Sequence, residues 1–246
     1  AKNQRSRQCI SAAVDMAEVG RAIGRNAELR DLQLDDLYCL DRQDVTLSRW
    51  MFGLLCDGIN QNQSIEELTV CNFSHNQWSI GQFLGPFLAN CPSLRSVCVM
   101  TGGGYTRSPE NMHLLVAPLL ERNDPLDELC FIETAVDDGM VVALVGVFLQ
   151  NPHLVPKKLQ IASCEFGLIG CQALAKLLKS PHCAMEILDI PDNYIEDDGA
   201  ACLAKALVRN TTLKVLSLPE NRITSAGWEV FAPVSCYVKR QYDQYD

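Results

Sequence analysis

The chain has 246 residues, 48% hydrophobic and 21% charged, with a mean hydropathy of +0.01, a balance that suits one well-packed unit or two small ones. A formal net charge of −9 and a pI near 4.9 argue against nucleic acid as the main partner. No run approaches the ~18 consecutive apolar residues of a membrane-spanning helix, so direct membrane insertion is not expected.

The chain opens on a basic stretch, "AKNQRSRQ", without Met and without a following apolar signal core, as in a processed form or a fragment. "SAAVDMAEVGRAIGR" (11–25) carries small and apolar residues at helical spacing and predicts a capping helix within an N-terminal segment, 1–26. A short apolar pattern, L-x-x-L-x-L with Ile, Val, Phe or Met allowed, then recurs through 27–232. The copies are "LRDLQL" at 29, "IEELTV" at 65, "LRSVCV" at 94, "LDELCF" at 126, "PKKLQI" at 156, "MEILDI" at 185 and "LKVLSL" at 213. Each is followed by a turn and a helical stretch. In "EDDGAACLAKALVRN", Ala200, Leu203, Ala204 and Leu207 share one face; "GLIGCQALAKLLKS" and "DDGMVVALVGVFLQN" repeat the pattern, and "QWSIGQFLGPFLANC" and "PENMHLLVAPLLERN" do so with an internal Pro. A strand, turn and helix of this size cannot bury its apolar face alone, and stacking solves that for every copy. The tail, 233–246, contains no further copy of the pattern, so it or a partner is expected to cover the last coil.

Leu188, Ile190, Asn193, Ile195, Gly199, Leu203 and Leu207 return as Leu216, Leu218, Asn221, Ile223 and Gly227. In this the chain resembles the leucine-rich repeat family, in its long ribonuclease-inhibitor-like subtype. The resemblance implies an α/β solenoid: an arc of about seven repeats with a parallel sheet on its concave side and helices on its convex side. It also implies that Asn193 and Asn221 turn inward to bond loop backbone, and that Gly199 and Gly227 permit a close approach. Cys164 keeps the position of these asparagines, whereas the earlier copies place Thr134, Gly102, Phe73 and Leu37 there, which leaves their loops open.

Few residues invite a chemical reading. The twelve cysteines include no C-x-x-C pair and sit in apolar segments, so they read as reduced, mostly buried thiols of a reducing, cytoplasmic compartment. Cys98 and Cys130 fall at one position of neighbouring copies and are expected to stay unbridged. "TGGGYTRSP" (101–109) lacks a phosphate-loop pattern, and His182 beside Cys183 lacks metal spacing. The "EDD" run at 196–198 fits the positive end of a helix. No cofactor, metal site or catalytic constellation emerges, and a non-enzymatic protein-interaction module is expected. The alternatives are a fixed subunit of a larger complex, and a GTPase-activating protein of the repeat type that would use Arg42 or Arg49.

Side chains alternate along a strand, so the third, fifth and seventh positions of each copy should face the concave opening. With the flanking positions they carry twelve acids: Asp31, Asp35, Asp36, Glu66, Glu67, Asp127, Glu128, Glu133, Glu186, Asp189, Asp192 and Glu220. Five bases, Arg30, Arg95, Lys157, Lys158 and Lys214, stand against them, a balance of −7. Cys71, Met100 and Ile132 at seventh positions, with Cys98 and Cys130 at fifth positions, make an apolar centre within that acidic rim. The predicted partner site is Glu67, Cys71, Cys98, Met100, Glu128, Cys130, Ile132, Glu133 and Asp189, for a protein with a basic surface.

Overall fold

In the computed structural model, which describes residues 15–34, 45–71, 80–100, 118, 121–134 and 136–241, the chain winds as an open α/β solenoid. Strands β1 (Asp31–Leu34), β2 (Glu67–Val70), β3 (Ser96–Met100), β4 (Glu128–Ile132), β5 (Lys158–Ala162), β6 (Ile187–Asp189), β7 (Val215–Ser217) and β8 (Tyr237–Lys239) form one parallel sheet in chain order. The described helices are α1 (15–25), α2 (Val45–Ile59), α3 (Ile80–Asn90), α4 (Asp138–Gln150), α5 (Leu168–Leu178), α6 (Asp197–Leu207) and the short α7 (Ser225–Glu229).

The register follows the apolar pattern. Leu32, Leu68, Val97, Leu129, Leu159, Leu188, Leu216 and Val238 pair in one continuous row across the sheet. All but the half-buried Val238 are buried, as are Leu34, Val70, Val99, Phe131 and Ile161 two residues on. Those positions face the helices, so the residues between them face the opposite, concave side.

The expectation of seven strands is corrected to eight. The tail supplies β8, in phase with the repeat: Tyr237 N–H donates to Lys214 O (2.9 Å), and Leu218 N–H to Lys239 O (3.0 Å). Phe231 is buried beside Trp228, and Val234, Cys236 and Val238 pack on the core. The last coil is thus covered by a further strand rather than by a folded-back lid.

At the other end, α1 crosses α2 so closely that a methyl group on Gly58 would collide with the backbone of Gly20 and Arg21. We expect Gly58→Ala to cost about 1–3 kcal/mol and to force the two helices apart. Hydrogen exchange should then accelerate in residues 15–25 and stay unchanged in β5–β7. Uniform acceleration would mean that α1 is not a separable cap.

The loops explain the recurrent residues. Asn193 Nδ2 donates to Ile161 O in the previous coil (2.8 Å) and to Pro191 O in its own (2.9 Å). Asn221 Nδ2 reaches Ile190 O (2.9 Å), and its Oδ1 accepts from the amides of Asn193 and Ile195, each at 3.2 Å. Thr134 and Cys164 fill the same slot, with Oγ1 and Sγ 3.5 Å apart and Cys164 Sγ 3.2 Å from Ala162 O. The residue before each slot is left-handed: Glu133, Ser163, Asp192 and Glu220 have φ between 49° and 54°. Such a conformation costs a non-glycine residue energy. For the first three it is offset by an amide that donates to the next coil, at 2.9–3.1 Å.

The acidic helix starts do more than meet the dipole. Asp138 Oδ1 accepts from the amides of Gly167 (2.9 Å) and Gly170 (2.6 Å) in the next coil, and Asp197 accepts from the Thr224 amide (2.8 Å) and hydroxyl (2.7 Å). Gly227 is small because Asp197 occupies the space its Cβ would take.

Candidate functional site

The concave face consists of three rows running across the strands. The strand-start row is Asp31, Glu67, Ser96, Glu128, Lys158, Ile187, Val215 and Tyr237. The middle row is Gln33, Thr69, Cys98, Cys130, Gln160, Asp189, Ser217 and Lys239. In the third row Met100 pairs with Ile132, and Ile132 with Ala162.

Sequence reasoning placed these residues on the correct face, but burial divides them. Met100 and Ile132 are half-exposed and adjacent. Cys98 beside them is half-buried. Cys71 and Cys130, expected as contact residues, are only 8% and 5% exposed, so they are floor rather than contact surface. Ala162, Pro191 and Pro219 further along are buried too. Small side chains between neighbouring strands are covered by their neighbours; long ones rise clear.

A second apolar group was missed. Ile187 and Val215 are half-exposed and Tyr237 is 60% exposed, and they pair side by side in the strand-start row. It lies diagonally from the Met100–Ile132 group, with Gln160 and Asp189, hydrogen-bonded at 2.9 Å, between them. The alternation of "CYVK" against "KVLS" carried this signal, since it extends the repeat past Pro233.

The charge pattern also needs correction. The counted bases gather along the edge where the strands begin. Arg30 pairs with Glu66 (3.1 Å), Lys157 with Asp127 (2.7 Å), Lys158 with Glu128 (3.5 Å) and Lys214 with Glu186 (2.6 Å), each across neighbouring coils. Arg95 donates to Pro125 O (3.3 Å). Such exposed pairs stabilise little, but they offset the charge of four of the twelve acids. On the strand-start edge Asp31 and Glu67 remain beside these pairs. Along the opposite edge Glu133, Asp192 and Glu220 occupy the left-handed positions. Asp35 and Asp36 lie outside the described residues.

The middle row brings two thiols side by side. Cys98 and Cys130 are register partners, and Cys98 has its pKa lowered. The largest cause is the neighbouring Cys130 thiol, followed by the opposing effect of burial, then Lys158, then the opposing Glu128. Cys130 is pushed far up, by its Cys98 neighbour and by burial. Ten cysteines among the described residues are thiols and none forms a disulfide.

Among the described residues no group of three or more His, Cys, Asp and Glu is placed to hold a metal ion, and no helix is long and apolar enough to cross a membrane. His182 is exposed in its turn. Arg42, the side chain of Arg49 and the 101–109 loop lie outside the described residues.

Comparison with known proteins agrees with the repeat. Residues 209–232 match a family model described as leucine-rich repeat. The chain is 27% identical over 124 residues to ribonuclease inhibitor of Sus scrofa, covering 50% of this chain and 27% of that protein. It is 23% identical over 227 residues to human NACHT, LRR and PYD domains-containing protein 5, covering 89% of this chain and 18% of that one. It is 26% identical over 117 residues to RAN GTPase-activating protein 2 of Arabidopsis thaliana, covering 47% of this chain and 21% of that one. The chain thus spans less than a third of the length of each.

Proposed function

Because the chain is a leucine-rich repeat protein of the ribonuclease-inhibitor-like type, we propose that it is a protein-binding module whose concave face engages a partner with a basic surface. The observation that carries this reading is the half-exposed Met100–Ile132 pair on an otherwise well-packed sheet. Such a pair has the character of an anchor at the centre of an interface, with charge at its margin. The Ile187, Val215 and Tyr237 group gives the partner a second foothold.

The distribution of charge adds a direction. The partner's basic surface lies toward the strand-exit edge, over Asp192 and Glu220, because lysines and Arg30 already pair with four acids of the other edge. Glu67 and Asp189 orient the partner from within the arc, whereas Glu128 is engaged by Lys158. Two of the relatives support a protein partner by their names: one inhibits a ribonuclease and the other activates the Ran GTPase. The buried thiols fit a reducing, cytoplasmic setting.

The test is retention of co-purifying partners by the wild type and by Met100→Asp/Ile132→Asp. We expect the double variant to keep its circular dichroism and melting temperature and to bind about tenfold to a hundredfold more weakly. Wild-type binding should weaken steeply between low and physiological salt. Unchanged binding by the double variant would remove the concave face as the site. Salt-independent binding would favour the fixed-subunit alternative.

A further inference from the structure

We infer that Leu168, Ile169 and Tyr194 form a docking patch on the flank of the solenoid where loops lead from strands into helices. The occupant is a cationic amphipathic segment of a partner protein, with apolar side chains flanked by lysine or arginine. The three side chains are 41%, 57% and 44% exposed. Contacts between coils bring them together. The Tyr194 amide donates to Phe166 O (3.0 Å), and a methyl group on Gly167 would stand 3.1 Å from Tyr194 O. Leu168 follows directly, at the start of α5. From the next coil the Arg222 guanidinium lies 4.1 Å over the Tyr194 ring. That contact holds the ring in place, so docking costs it little side-chain freedom.

Leu168 and Ile169 break the repeat. They precede Gly170 as Asp197 and Asp198 precede Gly199, and as Ser225 and Ala226 precede Gly227. Helices α4 and α6 carry acids in their first turn and α7 is capped by Thr224, whereas α5 has no acid there and starts from Gly167. The Gly167 and Gly170 amides are served instead by Asp138 of the preceding coil. The helix start therefore gains nothing from two branched apolar side chains, and neither one packs on the core. Isolated exposed apolar residues mean little, but a contiguous group outside the core has the character of a contact surface.

Charge selects the occupant. Asp192, Glu196 and Asp198 are exposed around Tyr194, and none of them enters an ion pair among the described residues. Lys176 and Lys205 stand in the last turns of α5 and α6, about two helical turns from the patch. Two copies meeting patch to patch would set acid against acid, whereas a segment bearing lysine or arginine meets its complement. The inference does not rest on the concave-face reading, because these residues lie on loops and helix starts rather than on the strands.

Titrating the isotope-labelled full chain with a synthetic helical peptide of leucine and lysine at amphipathic spacing, read by amide chemical shifts, tests the patch. Shifts should centre on residues 166–170 and 193–198. A matched peptide with glutamine in place of lysine should bind at least about tenfold more weakly. Leu168→Asp/Ile169→Asp copies the acids of the next coil, so it should keep or raise the melting temperature. It should also bind the lysine peptide at least about tenfold more weakly, although it adds two negative charges. Equal or tighter binding by this variant would show a purely electrostatic contact and overturn the inference. A melting temperature lowered by more than about 5 °C would do the same, by making the pair structural. So would equal binding of the glutamine peptide, or a concentration-dependent dimer of the wild type that the variant loses, which would make a second copy the occupant. Shifts confined to β3 and β4 would overturn it while supporting the concave face.

Discussion

Arg122→Ala should lower the unfolding free energy by about 3–5 kcal/mol, with a matching fall in the denaturant midpoint at unchanged slope. Arg122 is 4% exposed and lies in the loop before β4. Its guanidinium donates to Leu88 O, to Cys91 O (3.2 Å), to Leu94 O (3.1 Å) and, through Nε, to Asp124 O (3.0 Å). Three of these carbonyls belong to the end of α3 and the loop after it, so one cation gathers acceptors that the helix leaves over. Burial lowers its pKa and nearby Asp124 raises it. Alanine would take a donor from each of these carbonyls and leave Cys91 O only the Leu94 amide (3.4 Å). Arg122→Lys should recover only part of the loss, because one ammonium cannot span the same fork. A loss below 1 kcal/mol for Arg122→Ala would mean that water replaces the guanidinium.

Asn193→Ala should cost about 2–4 kcal/mol, and Asn221→Ala clearly less. The Oδ1 of Asn193 has no hydrogen-bond partner among the described residues, so the contribution of this side chain resides in Nδ2 and the three carbonyls it serves, of Ile161, Pro191 and, at 3.4 Å, Ile190. At 2% exposure, water cannot substitute. Asn221 makes the same kind of bonds one coil later but is half-exposed, so solvent can take over. Asn193→Asp should be at least as damaging as alanine, since an acceptor would then face only carbonyl acceptors. Equal losses at both asparagines would show that burial does not govern the ladder.

A second capping row was present in the sequence and went unread. Asn62 Oδ1 accepts from the Ile65 amide (2.9 Å) while Nδ2 donates to Ile23 O (2.7 Å). Asn210 does the same with Leu213 (2.8 Å) and Leu178 O (2.9 Å). Each stands three residues before an L-x-x-L-x-L copy, so the spacing alone could have found them. Arg122 could not be found that way. It stands four residues before its copy, beside Asn123, and only its length lets it reach the preceding coil.

The sequence by itself determined the repeat and the register, and its resemblance to the leucine-rich repeat family implied the inward turn of Asn193 and Asn221. The repeat and the register follow from local periodicity, because a stacked coil contacts only its neighbours and must repeat the same burial. Tertiary structure alone decided which face residues are reachable, which acids are neutralised and where the stack ends. Met100 and Cys71 occupy equivalent positions, yet one is half-exposed and the other 8% exposed, because side-chain length against the neighbouring strand sets access. Glu67 and Glu128 share the strand-start row, but Lys158 stands opposite the second across the sheet. Such pairings join residues about 30 positions apart, and they exist only once the coils are in register.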